Sequence, residues 1–341
     1  MAYTARFADS SKIKQNDHGP EVISVPSSPK AKRALLLAGV VLVALLLAGF
    51  VTGAIGASLF GSESFLGRPE VHLPPQVITG VEVVHSGSEG DHGEEHSGLP
   101  RGFVLTNTML SAWISTAVII VFFLLATRRM SLIPSRLQNL AEWIVETLHN
   151  FVESVAGREY GRKFFPVIAT IFLFVAVNAW LELIPIYQSL GFKDEGGNLT
   201  THLLRGAPTD LNFPLALALV SFIFVEYWGI RAHGRKYMKE FLRFDNLLKG
   251  RIFTGLIDVF VGFLELLSHV IRIISFTFRL FGNVTAGAIL LMVIGFLLPF
   301  VALLPFYGLE LLVGFIQALI FAGLTLCFVA VAVAPHQEEH S

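Results

Sequence analysis

The chain has 341 residues, of which 53% are hydrophobic and 15% are charged. Soluble domains carry about 25% charged residues, so this composition excludes an ordinary soluble protein and indicates an integral membrane protein. The formal net charge of -1 argues against a nucleic-acid partner. The single cysteine, Cys327, excludes a disulfide framework.

Six apolar runs are long enough to cross a bilayer, which takes about 20 residues in a helix. They cover 34–60, 103–127, 164–186, 212–231, about 253–298 and 303–334. Pro299 and Pro305 separate the last two runs and predict a hairpin corner. Both members of this hairpin exceed a perpendicular crossing, so we expect them to be tilted or broken near their ends. The predicted fold is an all-α membrane protein with about six transmembrane helices, including this long C-terminal hairpin.

The positive charges predict the orientation of these helices. The segments 1–33, 127–163 and 231–251 together hold 19 Lys and Arg residues, whereas 61–101 and 185–211 hold four. The positive-inside rule places the first set in the cytoplasm. With six crossings, both termini are then cytoplasmic.

Two segments outside the apolar runs have their own patterns. In 134–160, apolar residues recur at helical spacing and predict an amphipathic helix on the cytoplasmic face; they are Leu137, Leu140, Ile144, Leu148 and Phe151. The external loop 61–101 is acidic and rich in His, Gly and Ser. Its His85, His92 and His96 allow a metal site, but we prefer a solvated loop because no second ligand set has metal-site spacing.

The chain therefore divides into four parts. A polar cytoplasmic tail covers 1–33, and an additional N-terminal helix covers 34–60. We interpret that helix as uncleaved, because its apolar length exceeds the usual core of about 7–15 residues in a signal peptide, which is the alternative. The external loop 61–101 follows, and a helical bundle occupies 102–341.

A stripe of polar residues runs along the fifth apolar run. Its members follow one another at spacings of three or four residues, and they are Glu265, Ser268, Arg272, Ser275, Arg279 and Asn283. At 1.5 Å per residue they span about 27 Å of one helix face, which nearly equals the hydrocarbon thickness. The stripe predicts a polar track across the membrane, with a charge at Arg279 that is costly to hold there.

The last run carries a matching face with Glu310, Gly314, Gln317 and Phe321. An antiparallel neighbour could present Gln317 to Arg279 and place Glu310 further toward the outer side. Glu182, at the outer end of the third run, is another candidate acid. Intramembrane ionisable residues are functional candidates by default.

Each of these residues also has a plainer interpretation. Arg279 could be structural, bonded to helix-end carbonyls, and Glu182 could be solvated at the interface. For Arg272 we favour snorkelling of the side chain toward the cytoplasm. For Asp210 we favour an N-cap of its helix over a proton carrier.

Several motifs resemble subunit a of the membrane sector of the rotary, F-type ATP synthase. "RLFGN" at 279–283 is the most specific, and "ELIP" at 182–185, "PTDLN" at 208–212 and the acidic tail "HQEEH" at 336–340 also match. The similarity covers roughly 102–340. Asn178 lies one residue from a family asparagine. Ala288 stands where some members carry an acid, and Glu310 stands where members that lack it tend to carry one.

The resemblance implies an ion-translocating stator subunit that is not catalytic by itself and needs no cofactor or metal. Its partners would be a ring of small hairpin subunits with buried carboxylates and the peripheral-stalk subunit b, in a bacterial plasma membrane. Arg279 would separate two half-channels, and Gln317 would face it. We expect the outer half-channel to use Glu310, Glu182 and Asn283, and the cytoplasmic one Glu265 and Ser268, with His269 as a further member.

Two other classes compete with this interpretation. A secondary transporter usually has internal repeats and broken helices around a midplane site, and we find no repeat here. A structural scaffold predicts that substitutions of Arg279 and Glu310 are tolerated in assembled complexes.

Overall fold

The computed structural model describes residues 29–60, 77–79, 105–128, 130, 134–184, 187, 190–193, 199–234, 237 and 252–334. The histidines of the external loop and the acidic tail 336–340 lie outside these residues. Within them, six helices are long and apolar enough to cross a membrane. The all-α membrane fold predicted from the sequence is confirmed.

The helices in chain order are α1 (Pro29–Thr52), α2 (Ala54–Phe60), α3 (Asn107–Thr127), α4 (Arg136–Glu182), α5 (Asn212–His233), α6 (Ile252–Leu297) and α7 (Leu304–Val333). Short 3-10 turns at Ala207–Thr209 and Phe300–Leu303 precede α5 and α7. Strands β1 (Val77–Thr79) and β2 (Leu105–Thr106) form one antiparallel pair in the connections, and β3 (Gly191–Lys193) and β4 (Leu199–His202) form another.

Helix α4 joins two segments that the sequence predicts separately. Gly157 has φ 74° and ψ 168°, so the helix is interrupted there between the amphipathic segment and the transmembrane segment. Only glycine adopts this backbone conformation without a steric cost. On the amphipathic segment, Leu148 is buried, whereas Leu137 and Leu140 are exposed on the isolated chain.

The core lies where α4, α5, α6 and α7 meet. Helix α7 packs most extensively against α4 and also against α5. Fully buried side chains at this junction include Phe164 and Ile168 of α4, Leu280 of α6, and Leu326 of α7. The Phe276 and Phe321 rings join α6 to α7 with centroids 4.9 Å apart. This packing fixes the relative positions of the helices that carry the candidate residues.

The additional helix α1 is attached at one end of the bundle. Its exposed leucines and valines leave most of the helix uncovered by the chain. Near its C-terminal end, a Cβ on Gly49 would collide with the carbonyl oxygen of Pro299, and one on Gly53 with that of Leu297. The close approach of α1 to the corner between α6 and α7 therefore depends on two glycines four residues apart.

Candidate functional site: a polar track between α6 and its neighbours

The predicted polar stripe lies along the side of α6 that the rest of the chain leaves open. Glu265, Ser268, Ser275 and Asn283 are exposed, and Arg272 and Arg279 are half-buried. The neighbouring exposed positions on α6 are mostly apolar, including Phe260, Leu264, Ile271 and Phe278. An exposed apolar surface with a line of polar residues along its centre fits a helix whose apolar residues face lipid and whose polar residues face a partner.

Arg279 has few polar contacts with the other residues that the structure describes. Its Nη2 lies 3.5 Å from Oγ of Ser275, one turn earlier on the same helix, and its guanidinium carbon lies 5.9 Å from the centre of the Phe276 ring. A guanidinium has five N–H donors. Most of its donor capacity is therefore unused among the described residues.

Gln317 faces α6, but its partner differs from the one expected. Nδ2 of Asn283 donates to Oε1 of Gln317 at 2.6 Å, and Asn283 lies one turn beyond Arg279. Nε2 of Gln317 is buried, and among the described residues it has no hydrogen-bond partner. The expected pairing of Gln317 with Arg279 is replaced by this bond because Asn283 is the α6 side chain that reaches the glutamine.

A small cleft opens beside this bond. Four polar side chains line it, and they are Glu182 of α4, Asn283 of α6, and Glu310 and Gln317 of α7. Three helices thus bring together all the residues predicted for the outer half-channel. The cleft has room for about one water molecule.

Glycines make room for both acids in this cleft. The carboxylate of Glu310 occupies the space that a Cβ at position 287 would need. The carboxylate of Glu182 occupies the space that a Cβ at position 206 would need. Gly314 similarly allows Ala179 to approach closely, because a Cβ added at position 314 would lie 2.8 Å from Cβ of Ala179. The sequence analysis missed Gly206 and Gly287, because a glycine that accommodates a distant side chain carries no local signal.

Charged residues surround the outer end of the cleft. Glu182 lies within electrostatic range of Arg205 and of Glu310. Burial lowers the pKa of the Arg205 guanidinium, and the carboxylates of Glu182 and Asp210 act in the opposite direction. Arginine remains charged in proteins, so Arg205 supplies a positive charge beside the acids. The sequence analysis did not single it out, because it lies in a loop.

Asp210 forms hydrogen bonds that hold the local structure at the start of α5. Its Oδ1 accepts a hydrogen bond from the backbone N–H of Asn212, the first residue of α5, at 3.0 Å, and its Oδ2 accepts one from Thr108 of α3 at 3.2 Å. Asp210 therefore bonds the first residue of α5, but it is not the N-cap that we expected. The residue at the N-cap position itself is Leu211.

A second polar cluster lies at the other end of the stripe. Nδ1 of His269 is 2.9 Å from Oε1 of Glu226 on α5, and Nε2 of the same ring is 3.6 Å from Oε1 of Glu265. Ser268 is exposed and donates to the backbone oxygen of Leu264 in its own helix at 3.0 Å. The structure therefore groups Glu265 with His269 but does not include Ser268 in this cluster.

The sequence analysis missed Glu226. It is the only acid in the apolar run 212–231, and the rule that marks intramembrane charges would have found it. Arg272, expected to snorkel, instead stacks inside the bundle, with its guanidinium carbon 3.8 Å from the centre of the Phe328 ring. Packing of α7 against α6 provides that ring.

Asn178 has a structural place outside both clusters. It is buried, its Oδ1 accepts from Oγ of Ser115 on α3 at 2.9 Å, and its Nδ2 donates to the backbone oxygen of Phe174. The amide joins α3 to α4.

Comparisons with known proteins identify the family of this chain. The family described as ATP synthase A chain matches residues 109–330, which is well over half of the chain. The chain belongs to the ATP synthase A chain family.

Similar proteins carry the same description. The ATP synthase subunit a of Desulfosudis oleivorans is 33% identical over 224 residues, which are 65% of this chain and 86% of the relative. That of Geotalea daltonii is 33% identical over 217 residues, 64% and 83% of the two chains. That of Citrifermentans bemidjiense is 32% identical over 232 residues, 67% and 90% of the two chains.

Family membership makes this chain a membrane subunit of ATP synthase, with a part in proton transport and ATP synthesis. The matched region begins two residues into α3 and ends in α7. Helices α1 and α2 therefore precede the family region, and every candidate residue lies within it.

Proposed function

We propose that this chain is the stator subunit that provides two proton half-channels to the carboxylates of a rotating ring of small hairpin subunits. The ring would pass along the open side of α6, and peripheral-stalk subunit b would hold the chain still. We place the complex in a bacterial plasma membrane with both termini of this chain in the cytoplasm, as the distribution of Lys and Arg favours.

Arg279 would act as the charge that separates the half-channels. Arginine does not lose its proton in proteins, so it favours the ionised form of any ring carboxylate that comes close. The same charge repels a proton that moves straight along the stripe. Lysine would perform this task less well, because burial readily lowers its pKa.

The observation that carries the proposal is the position of the cleft relative to Arg279. The cleft contains Glu182 and Glu310 and reaches Asn283, one helical turn from the arginine. A proton could therefore pass from the acids to a point beside Arg279 without crossing it. The cytoplasmic half-channel would begin on the other side of Arg279 and use Glu265 and Ser268, which are exposed on the same side of α6.

The energy for rotation would come from the proton gradient. Each elementary charge that crosses the membrane releases about 2.3 kcal/mol per 100 mV. A path interrupted at Arg279 forces the proton to travel with the ring, and this requirement couples proton flow to rotation and to ATP synthesis elsewhere in the complex.

The test is Arg279→Ala in the complete complex, reconstituted in sealed vesicles. We expect ATP-driven proton pumping to be lost in a fully assembled complex and passive proton leak to rise, because no fixed charge separates the half-channels. The matched control is Arg231→Ala, since Arg231 stacks on Trp228 and bonds Tyr227 near the end of α5, away from the stripe. Normal pumping by the Arg279 variant would contradict the proposal and favour a structural arginine.

A further inference from the structure

The cluster at the cytoplasmic end of the stripe places one histidine between two acids. The side chain of His269 is only 7% exposed, and that of Glu226 is 17% exposed. The side chain of Glu265 is 53% exposed on the open side of α6. The three side chains thus form a line from the open face of α6 to the buried contact between α5 and α6.

Both ring nitrogens of His269 lie within 4 Å of a carboxylate oxygen, and the contact of Nδ1 with Glu226 is close but is not aligned as a hydrogen bond. A neutral imidazole has one N–H, and its other nitrogen is an acceptor. An ionised carboxylate is also only an acceptor. One of the two contacts is therefore satisfied only when an additional proton is present on the ring or on a carboxyl group.

Charged groups of α5 and α6 lie close together at this place. Arg272 lies within electrostatic range of both Glu226 and Glu265, so a guanidinium accompanies the two carboxylates beside the ring.

We propose that Glu226 and His269 form a proton-transfer pair that continues the cytoplasmic half-channel from Glu265 into the contact between α5 and α6. This inference rests on the proposed function, because it assigns a route to the half-channel that begins at Glu265. It adds a residue of α5 to a track that the sequence places on α6 alone.

The transfer steps balance in protons. The carboxyl group of Glu265 gives its proton to Nε2 of His269, and the ring becomes an imidazolium. Nδ1 then gives its proton to Glu226, which leaves a neutral ring protonated on Nε2. Release of the proton from Glu226 and exchange of the ring from its Nε2–H to its Nδ1–H tautomer through water restore the starting arrangement. In the pumping direction the same steps run in reverse.

The position of the pair suits an exit path. His269 is ten residues from Arg279 on α6, or about 15 Å along the helix at 1.5 Å per residue. Glu226 is seven residues, or about 10 Å, from His233 at the end of α5, the end predicted to be cytoplasmic. The pair would therefore carry protons over the part of the path between the stripe and the cytoplasmic surface.

The experiment compares three forms of the pair in the assembled complex, with passive proton flux and ATP hydrolysis as readouts. Glu226→Gln and His269→Gln keep polar side chains but cannot exchange protons at working pH. We expect each to lower proton flux by about tenfold, which is less than the roughly hundredfold or more that a positioned proton-transfer group typically contributes. ATP hydrolysis should be unchanged once the catalytic sector is released from the membrane. The exchange variant Glu226→His with His269→Glu is expected to restore most of the flux.

Matched controls are available on α4, where Nδ1 of His149 lies 4.0 Å from Oε2 of Glu153. His149→Gln and Glu153→Gln change a Glu–His pair away from the stripe and should leave flux unchanged. If a glutamine variant fails to assemble, the exchange variant decides. Its conduction supports proton transfer, and an assembled but non-conducting exchange variant contradicts it.

Arg279→Ala, measured in parallel, separates the two proposals. Unchanged flux in assembled Glu226→Gln and His269→Gln complexes, together with loss of pumping in the arginine variant, would overturn the proton-transfer pair and leave the half-channel proposal standing. Unchanged pumping in the arginine variant would count against the proposed function itself.

Discussion

The two polar clusters on either side of Arg279 are built differently. At the outer end, Glu182 and Glu310 lie in an open cleft, and glycines from other segments make room for their carboxylates. At the inner end, Glu226 is in direct contact with a buried histidine. The outer cluster therefore provides space that water can fill, whereas the inner cluster provides direct contacts. We therefore expect the proposed proton path to depend on cavity shape at the end with Glu182 and Glu310 and on side-chain contacts at the end with Glu226.

The largest effect is expected when the outer cluster loses an acid. Glu310→Gln should reduce proton flux by about a hundredfold, because the amide keeps the shape of the side chain but cannot bind and release a proton at neutral pH. Proton flux in reconstituted vesicles measures the effect. The control is Glu142→Gln on the amphipathic part of α4, where Glu142 accepts a hydrogen bond from Gln138.

Near-normal flux in assembled Glu310→Gln complexes would contradict the comparison. It would mean that water alone serves the outer path and that the acid in the cleft is not needed.

A smaller effect is expected when the shape of the cleft changes and its chemistry does not. Gly287→Ala introduces a methyl group where the carboxylate of Glu310 lies. The flexible glutamate can move aside, so we expect little change in stability. We expect proton flux to fall by roughly tenfold, which is less than the hundredfold or more expected when a positioned proton-transfer group is lost. Thermal unfolding and proton flux, measured on the same preparation, separate the two effects.

Gly295→Ala is the matched control for this substitution. Gly295 lies on the same helix, and an added Cβ would meet only the Leu303 side chain at 3.8 Å, an ordinary contact. Equal proton flux in the two variants would show that the space left by Gly287 for the Glu310 carboxylate has no role in the proposed proton path.

Features that depend on spacing within one segment could be predicted from the sequence. The stripe from Glu265 to Asn283 follows from helical periodicity alone, and the structure places it along the open side of α6. The six spanning helices follow from apolar length. These features depend on spacing within one segment, and such spacing is visible in the sequence.

Contacts between segments were not predictable in the same way. The bond between Asn283 and Gln317 required the register of α7 against α6, and the sequence analysis placed the glutamine one turn away, at Arg279. The stacking of Arg272 on Phe328 depends on the same register. Gly206 and Glu182 are 24 positions apart in the chain, and only the fold shows that they meet.

The smallest effect is expected for a buried polar contact that lies off the track. Oγ of Ser221 on α5 and Oγ1 of Thr325 on α7 are 2.7 Å apart and buried. Oγ1 of Thr325 also donates to the backbone oxygen of Phe321 at 2.9 Å, so the serine is the donor to the threonine. Interhelical hydrogen bonds of this kind contribute about 0.6 kcal/mol on average in membrane proteins.

Thr325→Val should therefore lower the free energy of unfolding by about 1 kcal/mol or less and leave proton flux unchanged. Thr116→Val is the control, because the hydroxyl of Thr116 is exposed and bonds only to the Ala112 oxygen of its own helix. Ser221 also lines a small cavity beside Arg272. A loss of proton flux in the Thr325 variant would thus show that this cavity is part of the proposed cytoplasmic half-channel. The end of the path at Glu226 and His269 would then depend on cavity space as well as on direct contacts.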